Sequence, residues 1–151
     1  FSVPTEGPAM PLKLSLKPHE KFVVNGAVMI NGDRKSEVVL QNKASILREK
    51  DILQPNDATT PLKRVYFPIQ MMYLDSSSGG ENVDVYYDSF AERMADFMGV
   101  VSNPDVLAAC VAISRDVLGG HYYRALMTCR RLFEYEQELL NYVPDGVPVH
   151  A

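Results

Sequence analysis

The chain has 151 residues, of which 46% are hydrophobic, and a formal net charge of -4. That is enough apolar material for one ordinary domain or two small halves sharing a core, while the overall acidity argues against a generic polyanion binder. No run of 18 apolar residues occurs and nothing resembles a secretory signal, so neither a membrane span nor a leader is expected and the chain reads as cytoplasmic.

The charge is unevenly spread. Residues 10–64 carry seven Lys and three Arg against six acids, a balance of +4, whereas residues 65–151 carry five Arg against twelve acids, a balance of -7. A basic front half joined to an acidic back half points to a front half that faces a polyanion. Residues 1–9, "FSVPTEGPA", have no periodicity and read as a cloning remnant ahead of Met10.

"LKLSLK", Leu12 to Lys17, alternates with period two, placing Leu12, Leu14 and Leu16 on one face and Lys13, Ser15 and Lys17 on the other. Pro18 ends that strand. Asn25-Gly26 and Asn31-Gly32 can each adopt the positive φ angles of tight hairpin turns, and the flanking "FVV" and "AVMI" predict a hairpin at the first pair. "EVVLQ" and "ASILR", separated by Asn42 and Lys43, read as a further strand pair, completing a small meander. "RVYFPIQMMYL" is β-branched and aromatic with Pro68 inside it, which predicts an edge or bulged strand. "DSSSGGENVD" is polar and of low complexity, the best linker in the chain.

Beyond it the period becomes helical. Tyr86, Phe90, Met94, Phe97 and Met98 form one stripe that should end near Gly99. Asn103-Pro104 is an N-cap followed by proline at the first helical position, and Gly119-Gly120 suit the C-terminus of that helix. A third helix should run from His121 to about Val143, with Tyr122, Leu126, Cys129, Phe133, Leu140 and Val143 on one face. The predicted class is α+β: an N-terminal small antiparallel β meander over 10–75, a linker over 76–84, a helical bundle of about three helices over 85–143, and a flexible tail over 144–151.

Little in the sequence points to catalysis. His19, His121 and His150 are not spaced to a nucleophile or to other ligands, Cys110 and Cys129 read as reduced core thiols, and "SSSGGEN" lacks the lysine and the strand-helix context of a phosphate loop. No catalytic residue, metal ligand or cofactor is therefore assigned, and the chain is not read as an enzyme. What remains is a basic strand face: Lys13, Ser15 and Lys17 on the first strand, with Lys43, Arg48 and Lys50 around the end of the last, candidates for RNA phosphates and base edges if those strands are neighbours. Tyr66 and Phe67 could supply base stacking, although their setting reads as core. In the back half Glu134, Glu136 and Glu138 with Tyr135 form an acidic, partner-facing patch.

"MPLKLSLKPHEKFVVNGAVMINGD", "LQNKASILREKDI", "YFPIQMMYLD", "FMGVVSNP" and "YYRALMTCRRLFEYE" together resemble the FlbT family of flagellin post-transcriptional regulators of alphaproteobacteria. The resemblance implies a cytoplasmic protein that acts on the 5′ untranslated leader of flagellin mRNA, controlling its stability or translation, in concert with the protein FlaF. The front half is also similar to the CsrA family of mRNA regulators: "LREKDI" matches that family's closing run and places Arg48 at its RNA-contacting arginine, while Leu16 and Lys17 stand where that family has two arginines. This second likeness implies a homo-oligomer, a dimer in which two protomers build the site together. The residues themselves leave another use for Arg48, pairing with Glu49, Asp51 or another neighbouring carboxylate. They also leave another use for the chain, as an adaptor that docks FlaF or flagellin through the acidic helices with no direct RNA contact.

Overall fold

The computed structural model describes residues 12–141, so the segment expected at 1–9, the tail at 144–151, Val143 and His150 lie outside the described residues. In chain order the elements are strands β1 (Leu12–Leu16), β2 (Lys21–Val24), β3 (Ala27–Ile30), β4 (Ser36–Leu40) and β5 (Ile46–Arg48), then helices α1 (Pro61–Ser76), α2 (Val83–Val100), α3 (Pro104–Leu118), α4 (Tyr122–Arg131) and α5 (Phe133–Asn141). The α+β class, strands first and helices after, is as the sequence indicates. The chain divides into two compact units, one made of the residues up to 52 together with 73–82, the other of 53–72 together with 83 onward. The expected linker at 76–84 is therefore largely part of the first unit. Asp75 organises it, its carbonyl accepting from the N–H of Ser78 and Gly80 and its carboxylate from that of Asn82.

In the first unit the strands form two antiparallel sheets, β1-β4 and β3-β2-β5. The hairpin at Asn25-Gly26 is present: Val24 pairs with Ala27 across a two-residue turn in which Asn25 has φ 48° and Gly26 φ 84°. Asn25 does a second job, because its N–H donates to Ser45 O at 2.7 Å and its side-chain carbonyl accepts from Ser45 N at 2.9 Å, which starts β5 beside β2. The expected β4-β5 pair does not form for that reason. Asn31-Gly32 is not a hairpin turn either. The Asn31 amide donates to Lys17 O at 2.7 Å and Arg34 O at 2.9 Å, and its oxygen accepts from the Ser36 hydroxyl, holding the start of β4 against the end of β1. Leu14, Leu16, Phe22, Val23, Leu47 and Tyr73 are buried in this unit, while Leu12, expected to join them, is 51% exposed.

Gly26 makes the turn possible. A Cβ there would combine the positive φ with an approach of 2.5 Å to Ser78 Oγ, whereas at Gly32 a Cβ would meet nothing within 4 Å. The serine can rotate away, so the backbone strain dominates, and Gly26→Ala should destabilise the protein by about 1–2 kcal/mol. Urea denaturation followed by circular dichroism checks this, with Gly32→Ala expected to leave the midpoint almost unmoved.

The segment expected as a strand, "RVYFPIQMMYL", lies within α1. Leu62, Val65, Tyr66, Ile69, Met72 and Tyr73 are all buried and recur at helical spacing, so one face of the helix is core. Thr60 accepts from Lys63 N at 3.2 Å and Pro61 occupies the first helical position, so the helix starts on a cap and a proline as α3 does. Pro68 removes one backbone donor inside the helix, a cost that burial of the whole stripe outweighs. The buried Gln70 side chain is satisfied by a strand-like exchange with Leu53: Leu53 N donates to Gln70 Oε1 at 2.7 Å and Gln70 Nε2 donates to Leu53 O at 2.9 Å.

Asn103 caps α3 as expected, accepting from Asp105 N and Val106 N, and Gly120, with φ 79°, follows its end. Phe90, Met94 and Phe97 of α2 are buried on one stripe. The helix expected from His121 onward breaks into α4 and α5 at Leu132, which caps α4. Cys110 and Cys129 are free and buried, as the sequence indicates. Burial pushes the Cys129 thiol well above its usual range, with Cys110 and Glu136 adding to the effect, and burial alone raises Cys110.

Candidate nucleic-acid interface

β1 presents the predicted face: Lys13 and Ser15 are exposed, as is Lys17 just after the strand, while Leu14 and Leu16 point inward. Across the sheet Lys13 lies opposite Val39 and Ser15 opposite Glu37. Lys43 is exposed in the connection before β5, Arg48 is the last residue of β5, and Lys50 is exposed in the 3-10 turn Glu49–Asp51. β1 and β5 belong to different sheets, so the two halves of the basic surface are not joined by strand pairing. Arg48 joins them instead: its Nη2 donates to the carbonyl oxygen of Ser15.

The same guanidinium is held by Glu20, a residue that sequence reasoning missed. Nη2 lies 3.1 Å and 3.2 Å from the two carboxylate oxygens and Nε donates to Oε2 at 3.3 Å. Glu20 Oε1 also accepts from Lys17 N at 2.9 Å. That backbone donor, followed by the Arg48 hydrogen bond and charge, holds the Glu20 carboxyl below the usual carboxylate range despite its burial. Arg48 therefore pairs with a neighbouring carboxylate, that of Glu20. Glu49 instead accepts from Lys21 N at 2.7 Å and extends the β2-β5 edge. Nε and Nη2 of Arg48 are both engaged by these contacts. A two-nitrogen fork of the kind that reads a guanine edge would require Glu20 to release it.

Lys13, Lys17 and Lys43 make no ion pair among the described residues. Three such exposed ammonium groups in the first unit suit phosphate neutralisation without base reading. Tyr66 does not contribute stacking, since it is fully buried and packs on Phe133 with ring centroids 5.4 Å apart.

In the second unit the acidic patch is smaller than predicted. Glu134 and Glu138 are exposed and Tyr135 is half-buried, but Glu136 is 4% exposed and faces inward. Its Oε1 accepts from the Thr60 hydroxyl and its Oε2 from Leu62 N at 2.8 Å, so it caps the N-terminus of α1. A carboxylate there satisfies orphan N–H groups and complements the helix dipole. His19 and His121 are exposed and unassociated with other potential ligands, and no group of His, Cys, Asp and Glu suited to a metal occurs among the described residues. No helix among them is long and apolar enough to cross a membrane.

Comparison with known proteins adds what the geometry lacks. The family model described as flagellar protein FlbT matches residues 12–140. The chain is 59% identical over 138 residues to the flagellum biosynthesis repressor protein FlbT of Caulobacter vibrioides strain CB 15, covering 91% of this chain and 95% of the relative. It is 36% identical to the probable flagellum biosynthesis repressor FlbT of Rhodopseudomonas palustris strain TIE-1, over 87% of this chain and 99% of that protein. To the protein so named from Brucella anthropi it is 32% identical, over 93% and 89% respectively. No solved structure matches the chain. The chain belongs to the FlbT family of flagellar proteins.

Proposed function

We propose that this protein is a non-enzymatic repressor of flagellum biosynthesis that binds the single-stranded 5′ leader of flagellin mRNA through the β1-β5 junction and thereby lowers the stability or translation of the message. The observation that carries the reading is the set of exposed lysines that make no ion pair among the described residues, Lys13 and Lys17 on either side of Ser15 and Lys43 in the connection before β5, together with the Ser15–Arg48 bridge. Ser15, Arg48 and Lys50 complete the surface. A flexible leader lies along such a strip by phosphate neutralisation, and occupancy alone blocks ribosomes or exposes the message to nucleases. The acidic helices, through Glu134, Glu138 and Tyr135, would dock FlaF, and a dimer would present the strip twice.

Fluorescence anisotropy of a labelled flagellin leader, titrated with the protein across a salt series, tests this. Lys13→Ala, Lys17→Ala and Lys43→Ala should each weaken binding by a few fold and each reduce the log-log salt slope by about 0.7. These side chains are exposed, so the fold is retained. Absence of leader binding at low salt would sink the RNA reading and leave the adaptor that docks FlaF or flagellin, whose surface is Glu134 and Glu138, one helical turn apart.

A further inference from the structure

β3 is an edge strand with no polar or charged side chain, "AVMI", and every residue in it is exposed. Val28 is 70%, Met29 46% and Ile30 62% exposed, on both faces of the strand. Natural edges are guarded by lysine, proline, a bulge or a covering segment, and among the described residues β3 has none of these.

The phase of its hydrogen bonds is fixed. Val24 and Ala27 close the two-residue turn and Asn31 N donates to Glu20 O at 2.9 Å, so residues 27, 29 and 31 direct their backbone groups toward β2. Val28 and Ile30 consequently aim their N–H and C=O outward, where no described residue meets them. Two outward residues separated by one inward residue are self-complementary. If two copies of β3 approach antiparallel about a twofold axis through Met29, Val28 of each pairs with Ile30 of the other, all four hydrogen bonds close, and the two Met29 residues face each other. With no charge on the strand, nothing in it repels a second copy.

We propose that β3 is the seam of a homodimer, joining two chains into one continuous sheet of order β5-β2-β3-β3-β2-β5. The seam is independent of RNA binding. A pairing this short lies below about 1,200 Å² of buried surface, so the dimer should dissociate on dilution through the micromolar range.

Sedimentation equilibrium of the full chain across that range should show a monomer–dimer equilibrium, and Val28→Lys with Ile30→Lys, which puts two charges per chain at exposed positions of the seam, should weaken it at least about tenfold. The axis is tested by cross-linking under mild oxidation. Met29→Cys should give a disulfide-linked dimer, since facing residues in that pair have Cα atoms about 4.5 Å apart. Val28→Cys should not, since its own copy lies diagonally across the seam at about 7–8 Å or more. The native Cys110 and Cys129 are buried and do not compete. A chain that stays monomeric throughout, a dimer indifferent to the two lysines, or equal cross-linking at 28 and 29 would each overturn the proposal.

Discussion

Glu136→Ala should destabilise the helical unit by about 3 kcal/mol. Wild type satisfies the Thr60 hydroxyl and Leu62 N–H with the two oxygens of one carboxylate at the start of α1. Alanine removes both acceptors at once. Charge-assisted hydrogen bonds contribute about 1.5–3 kcal/mol each, and the Leu62 donor, in a residue with no exposure, is left without water to replace the loss. In a protein of this size that corresponds to a fall of roughly 6–12 °C in melting temperature. Differential scanning calorimetry checks it against Glu138→Ala, whose exposed side chain should change stability by less than about 0.5 kcal/mol. Equal effects of the two would show that Glu136 is only another surface charge. Glu136→Gln should fall between wild type and alanine, because the amide oxygen can still accept one hydrogen bond while the charge is lost.

The contrast between Glu136 and Glu138 shows where the sequence is readable. Alternation in "LKLSLK", the Asn25-Gly26 turn and the Asn103-Pro104 cap are local signals with local causes, and the structure contains each of them. α1 was equally legible in its spacing, since Leu62, Val65, Tyr66, Ile69 and Met72 carry the helical period. The β-branched and aromatic composition and Pro68 argued for a strand, and tertiary burial overrode them. Partners far apart in the chain were not legible. Glu20 and Arg48 are 28 positions apart and Thr60 and Glu136 are 76 apart, and no local pattern assigns one carboxylate to a distant guanidinium or helix start. The sheet order failed for the same reason: the side chains of Asn25 and Asn31 choose which strands become neighbours, and each looks in sequence like half of a turn.

Arg48→Ala should cost about 2 kcal/mol of stability at neutral pH, and that cost should shrink in acid. The arginine is 29% and the Glu20 side chain 11% exposed, a pair between the surface case, worth little, and the buried case, where removing one partner costs about 3–5 kcal/mol. The substitution also releases the carbonyl of Ser15 and with it the bridge from β5 to β1. The pH dependence follows from Glu20, whose carboxyl titrates below its ordinary value near 4.5, first through the Lys17 N–H and then through Arg48. A depressed carboxylate contributes its stability fully above the ordinary value and loses it as pH falls through the lower, folded-state value. The gap between wild type and Arg48→Ala should therefore be constant from neutrality down to about pH 5 and close below 4.5, measured by urea denaturation at each pH. A gap that does not change with pH would mean that Arg48 stabilises through Ser15 alone. Because the same substitution perturbs the sheets that position Lys13 and Lys17, weaker leader binding by Arg48→Ala does not by itself make Arg48 a contact. Arg48→Lys separates the two roles: it keeps the charge but gives up the planar fork that reaches Glu20 and Ser15 together. Retained RNA affinity with lowered stability identifies a structural arginine, and lowered affinity at wild-type stability identifies an RNA contact.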